Sequence, residues 1–189
     1  KVRKATSAYF GLCSFLDYNI GTVLSALDNS DFADNTNIIY TSDHGDALGM
    51  RGMWGKSTMF EESAGVPMII KGPNLPVSKK VKTPVSLVDI FPTVIDSLEL
   101  DKNIKDDNLP GKSLLTIAKE DDDYQRVVLA EHHAAASPVG AVMLRKGKYK
   151  YVYFAEGYKP QLFNLEEDQF EENDLALNKN FSNIVNDFY

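Results

Sequence analysis

The sequence predicts an α/β architecture: a helix–strand–helix layer joined to a small antiparallel sheet. Three observations carry this reading. Apolar residues recur every three or four positions from Ala5 to Leu27, the mark of a long amphipathic helix. Two short apolar runs, "NIIYT" and "VPMIIKGP", then alternate with polar, glycine-rich and helical segments. After residue 125 the pattern changes to successive strand-like runs without an intervening helix, as in a layer followed by its own sheet. The division falls at 1–124 for the α/β region and 125–189 for the antiparallel subdomain.

The elements follow in order. Ala5, Ala8, Leu12, Phe15, Leu16, Val23 and Leu27 place one apolar face on the first helix, expected to be buried, with Cys13 packing beside it. "DNSDFADNTN" is turn material. "NIIYT" lacks polar alternation, as expected of a strand covered on both faces. "VPMIIKGP" is a second short strand closed by Gly72 and Pro73. "TPVSLVDIFPTVIDSLEL" reads as a helix bent or restarted at Pro92. From 101 to 125 acids accumulate in a surface linker, with "LPGKSLLTIA" touching down within it. "RVVLAEHH", a hairpin in "GAVMLRKGKYKYVYF" turning near Lys146-Gly147, and "PQLFNL" supply strands, and "FSNIVNDFY" begins a helix.

The totals narrow the function classes. The 189 residues carry 20 basic and 27 acidic side chains, a formal net charge of −7. That argues against nucleic acid as a partner, which calls for a basic surface. It would also repel an anionic substrate at long range, so any anion site must be made locally positive by a metal or a placed lysine. A single cysteine, Cys13, rules out an internal disulfide and a cysteine zinc cluster. No uninterrupted apolar run approaches the ~20 residues of a membrane span. The opening "KVRKATSAYF" lacks a signal-peptide core and begins in mid-helix pattern without a cap, as if polypeptide preceded it. Periplasmic, secreted and cytoplasmic placements are all compatible with this.

The chemistry concentrates in "NIIYTSDHGDALGMRGMWGKSTMFEE", residues 37–62. In α/β sheets ligands bind beyond the carboxyl ends of strands, and Asp43, His44 and Gly45 lie at such an end. Asp43 offers carboxylate oxygens to a cation, and His44 a nitrogen ligand or a proton carrier. A strand-ending turn with a capping aspartate is the plainer reading of the tetrapeptide alone. Asp46 is a candidate orienting partner for His44 or a simple loop acid, and Arg51 a candidate contact for an anion or a partner for Asp46. Adjacent Glu61 and Glu62 point apart on a helix and suit bracing the loop better than acid/base catalysis.

The ordered stretch "SDHGDALGMRGMWGKSTMFEESAGVPMIIKGP" resembles the sulfatase family of the alkaline-phosphatase-like superfamily. The likeness extends upstream to "AYFGLCSFLDYNIGTVLSAL" and downstream to "VSLVDIFPTVID" and "QLFNLEEDQFEENDLA", where Gln169 stands in place of the usual proline. The resemblance implies the C-terminal part of a sulfatase-like sheet flanked by helices. It implies that Asp43 and His44 hold a divalent metal and that Lys56 contacts the sulfate as a catalytic and binding residue. Calcium is the metal implied, although calcium prefers oxygen donors and the imidazole of His44 also suits manganese or zinc. It further aligns "EHHAA" with a Glu-Tyr-His-Ala-Ala stretch near the substrate entrance, making His133 a substrate contact and His132 structural.

The resemblance also implies a part that these residues do not supply. Sulfatases attack with a formylglycine made within a Cys/Ser-x-Pro-x-Arg motif. The residues two before the eight prolines are Gly65, Lys71, Asn74, Lys82, Ile90, Asn108, Ala136 and Tyr158, and none is cysteine or serine. Cys13 is followed by Ser14-Phe15-Leu16-Asp17 and fails the same test. The expected partner is therefore a missing N-terminal sulfatase portion, the substrate a sulfated small molecule or carbohydrate, and the isolated polypeptide inactive. Two rivals stand beside this: a phosphonate or phosphate ester hydrolase of the same superfamily, and a non-catalytic binding module.

Overall fold

A computed structural model of the chain describes residues 2–100, 108–133 and 139–188. The acidic stretch at 101–107 and the alanines of the "EHHAA" motif lie outside the described residues. Helix α1 spans Val2–Asp28, β1 Ile38–Thr41, α2 Glu61–Ala64, β2 Met68–Lys71, α3 Ile90–Ser97 and α4 Leu114–Lys119. Strands β3 Val127–His132, β4 Ala141–Lys146, β5 Tyr149–Phe154 and β6 Gln161–Asn164 follow, then α5 Ser182–Phe188. β1 and β2 pair antiparallel, with Ile39 opposite Ile70. β3 to β6 form an antiparallel meander in sequence order. The β4–β5 hairpin places Lys146 opposite Tyr149, and Gly147 takes the positive φ of +51° that the tight turn demands.

The principal core lies under the meander, where Met143, Tyr151, Val152, Leu162 and Phe163 are buried. Phe188 of α5 stacks on Tyr151 with ring centroids 5.5 Å apart. Pro92 sits in the first turn of α3, where a missing N–H costs no helical bond, so it starts the helix rather than bending it. Ser86 and Asp89 cap the preceding turn reciprocally. The Asp89 carboxylate, fully buried, receives the backbone N–H groups of Ser86 and Lys112, each at 2.8 Å. Arg126 Nη2 lies 2.6 Å from Asp89 Oδ1 and its Nη1 3.1 Å from Oδ2, a bidentate pair joining α3 to the start of the meander.

Two expectations fail. None of the described residues of α1 is buried, and Leu12, Phe15, Leu16 and Val23 are all exposed. The apolar spacing was read correctly as a helix, but spacing records a face and not what covers it. Likewise β1 and β2 leave Tyr40 and Ile69 exposed, so the strand pair is not covered on both faces. α1 is nevertheless long and apolar enough, by length and composition, to cross a membrane. A search for an unbroken apolar run misses it because Asp17, Asn19 and Thr22 interrupt the sequence.

Candidate active-site half

The site is built at the end of β1, where the chain leaves the strand through Ser42 and turns sharply at Gly45. A side chain at position 45 has no room: an added Cβ would stand 2.1 Å from the Glu62 carbonyl oxygen. That close approach sets Asp43 and His44 against the segment that follows the loop. Asp43 Oδ1 accepts the His44 backbone N–H at 2.9 Å, and Ser42 Oγ donates to the His44 carbonyl at 2.8 Å. The exposed Asp43 Oδ2 then lies 3.4 Å from His44 Nε2.

The neighbours of His44 fix its tautomer. Its Nδ1 is 2.9 Å from the Gly45 carbonyl oxygen, which only accepts, so Nδ1 carries the hydrogen. Its Nε2 is 2.5 Å from the Lys56 ammonium, which only donates, so Nε2 presents a lone pair. Two acceptors, Asp43 Oδ2 and His44 Nε2, thus sit side by side. The Lys56 ammonium is the cation that lies against Nε2 here, so an ion held by Asp43 Oδ2 and His44 Nε2 together would displace it from that lone pair. A Nδ1–H held by a backbone carbonyl is also how metal-binding histidines are oriented. Two donors are only part of a coordination shell: among the described residues no group of three or more His, Cys, Asp or Glu side chains is assembled for a metal.

Partial desolvation acts to raise the Asp43 carboxyl. It is outweighed by the His44 backbone N–H and by the His44 ring and the Lys56 ammonium, so the group lies below its ordinary value. The carboxylate stays ionised and ready for a cation. Asp43, His44 and Lys56 line one open cleft of about 1080 Å³ together with Lys82, His132 and Arg145. Residues 12 apart along the chain therefore converge in space.

The other singled-out residues fall elsewhere. Asp46 does not orient His44; its Oδ1 accepts the N–H groups of Leu48 at 2.8 Å and Gly55 at 3.3 Å, closing the neck of the loop. Arg51 is not among the cleft-lining residues. Its guanidinium pairs with Glu62, donates to the Phe170 carbonyl and lies 4.0 Å over the Phe60 ring, so it is committed to structure and pairs with neither Asp46 nor an anion in the cleft. Glu61 and Glu62 do point apart. Glu62 meets Arg51, and Glu61 lies 3.0 Å from the ammonium of buried Lys150.

His133 is exposed, 3.6 Å from Glu131, and outside the cleft lining. His132 lines it instead, with a buried Nε2 that has no hydrogen-bond partner among the described residues. The alternation of a strand had the signal: His132 follows Val128 and Ala130 on the less exposed face of β3. Reading the sequence also missed Lys150, fully buried in β5 between two carboxylates, and Ser63, whose backbone carbonyl receives the Gly45 N–H at 2.8 Å.

The chain is similar to known sulfatases. A family model for sulfatases matches residues 2–100. The chain is 38% identical over 177 residues to a choline-sulfatase of Rhizobium meliloti, covering 94% of this chain and 34% of that protein. It is 32% identical to arylsulfatase K of Danio rerio, covering 93% of this chain and 34% of that one. Among solved structures, the phosphonate monoester hydrolase of Agrobacterium radiobacter superposes with a TM-score of 0.78 at 28% identity, over 95% of this chain and 38% of its own. The chain thus spans about a third of the length of the curated relatives it matches.

Proposed function

The chain belongs to the sulfatase family, and from that premise we propose that it supplies one half of a metal-dependent site for hydrolysing sulfate esters. Asp43 and His44 hold a divalent cation on this reading, and Lys56 binds and neutralises the sulfate. The observation that carries it is the convergence of Asp43, His44 and Lys56 in one cleft. Lys56 supplies the local positive charge that a protein of net charge −7 must place against an anion. An ammonium there stabilises negative charge growing on the ester oxygens in the transition state.

The cation supplies Lewis acidity when bound. Calcium is the ion read from the resemblance, and the imidazole donor of His44 also admits manganese or zinc. The nucleophile and the remaining ligands come from an N-terminal sulfatase portion, for which the apolar face of α1 offers a seat. The substrate class is a sulfated small molecule or a sulfated carbohydrate. A second reading, a phosphonate monoester hydrolase, is favoured by the structural likeness to the Agrobacterium radiobacter enzyme.

The test uses the full-length polypeptide with 4-nitrophenyl sulfate and 4-nitrophenyl phenylphosphonate, before and after treatment with a chelator. The expected result is faster turnover of the sulfate, lost on chelation and restored by a divalent metal, with no turnover by the 189-residue chain alone. Preference for the phosphonate establishes the second reading. Absence of turnover on both substrates contradicts the proposal.

A further inference from the structure

The loop between Asp43 and Lys56 is closed at its neck by the Asp46 carboxylate and by the Ala47 N–H on the Gly55 carbonyl at 2.8 Å. Gly49, Gly52 and Gly55 all take positive φ values, as do Leu48 and Arg51. Those neck bonds end at Gly55, and the Thr58 N–H on the Lys56 carbonyl at 2.9 Å ties Lys56 only to its own segment, not to His44. What fixes the distance lies just beyond it, in the single turn of α2. Ser63, only 2% exposed, donates its hydroxyl hydrogen to the Lys56 carbonyl oxygen. Its own carbonyl accepts the Gly45 N–H at 2.8 Å. One residue thus grips the backbone beside His44 and the backbone of Lys56.

That turn is itself anchored to the C-terminal sheet. The Glu61 N–H donates to Glu171 Oε2 at 2.6 Å. The fully buried Lys150 ammonium lies 3.0 Å from Glu61 Oε1 and 2.7 Å from Glu171 Oε1. The path from β5 to the cleft is therefore continuous: Lys150 and Glu171 set the start of α2, and α2 sets Ser63. The geometry points to Ser63 as a positioning residue for the Lys56–His44 pair, held in register by the buried Lys150–Glu61–Glu171 ion group.

The inference rests on the reading of Asp43, His44 and Lys56 as the ion-and-anion site. Ser63 touches no substrate; it acts through Lys56. A side chain displaced by about 1 Å costs on the order of 100-fold in rate. Ser63→Ala keeps the Ser63 carbonyl bond to Gly45 and removes only the grip on Lys56.

The experiment compares Ser63→Ala, Ser63→Cys and Lys56→Ala with the wild type in the full-length polypeptide. It reads kcat and KM for 4-nitrophenyl sulfate and, in the metal-free protein, the ¹⁵N resonance of the His44 Nε2. The expected result for Ser63→Ala is a fall in kcat of about 10- to 100-fold. Its Nε2 resonance moves in the direction produced by Lys56→Ala, which deletes the donor outright. Ser63→Cys, similar in volume but a weak donor, falls between. Wild-type kcat and an unmoved resonance in Ser63→Ala overturn the inference. If Ser63→Ala does not fold, wild-type values in Ser63→Cys overturn it instead. Asp43→Ala and Lys56→Ala separate the two levels: full activity in both sinks the reading of the site. Their inactivity beside an unaffected Ser63→Ala sinks only the positioning role.

Discussion

At the scale of single residues, the His44 ring decides more than any other group. Its Nδ1 is bound by the Gly45 carbonyl and its Nε2 faces Lys56 and Asp43, so the neutral ring cannot donate a hydrogen bond to an anion. It serves as an acceptor or a ligand. Replacing it tests the metal directly: His44→Asn exchanges a nitrogen donor for an amide oxygen, and calorimetric titration should show manganese and zinc losing affinity relative to calcium. Unchanged relative affinities would remove His44 from the coordination shell. The residue types of this site were legible in the sequence because acids, imidazole and lysine cluster after one strand. His132 and His133 show where legibility stopped. Both belong to one tripeptide, and only the side each takes in the strand distinguishes them. Arg51 was equally ambiguous until Glu62 and Phe170, 11 and 119 positions away, were seen to hold it.

The elements were mostly visible as periodicity and turn chemistry: the apolar spacing of α1, the Gly147 hairpin, the alternation of β3. What the sequence hid were the charged joints between elements. Lys150 sits in "KYKY" of the hairpin, yet its ammonium is fully buried between Glu61 and Glu171. Burial pushes the Glu171 carboxyl above its ordinary value, although Lys150 and the Glu61 N–H pull it down. The folded state therefore holds that proton more tightly than the unfolded one. The contribution is fully present below the ordinary carboxylate range and is lost as pH rises through the raised folded value. Urea unfolding between about pH 4 and about pH 8 should show this decline in the wild type and not in Glu171→Gln; the same slope in both would assign it to another group. Asp89 and Arg126 form the second hidden joint. Arg126→Ala leaves a fully buried carboxylate without its cation, and breaking such a pair costs about 3–5 kcal/mol. Denaturant unfolding measures it, and a loss under about 1 kcal/mol would show that the backbone N–H groups on Asp89 suffice.

At the scale of the whole molecule, the uncovered surface is the informative part. α1 exposes Leu12, Phe15, Leu16 and Val23 along its length, the face that the proposed N-terminal sulfatase portion would cover. The sequence displayed the apolar face but not whether anything covers it. Leu16→Asp should accordingly leave the stability of the 189-residue chain unchanged within about 0.5 kcal/mol. In the full-length polypeptide it should cost at least about 2 kcal/mol, by burying an unpaired charge. Equal effects in both, by thermal unfolding, would mean that α1 is not an internal seat. The account as a whole turns on Asp43 and Lys56 acting on one bound sulfate ester. A double-mutant cycle of Asp43→Ala and Lys56→Ala in the full-length polypeptide, read as kcat/KM for 4-nitrophenyl sulfate, tests this most directly. Each single change is predicted to cost on the order of 100- to 1,000-fold, and the pair little more than either alone, as for residues that work as a unit. Losses that simply multiply, or full turnover without Lys56, would contradict it.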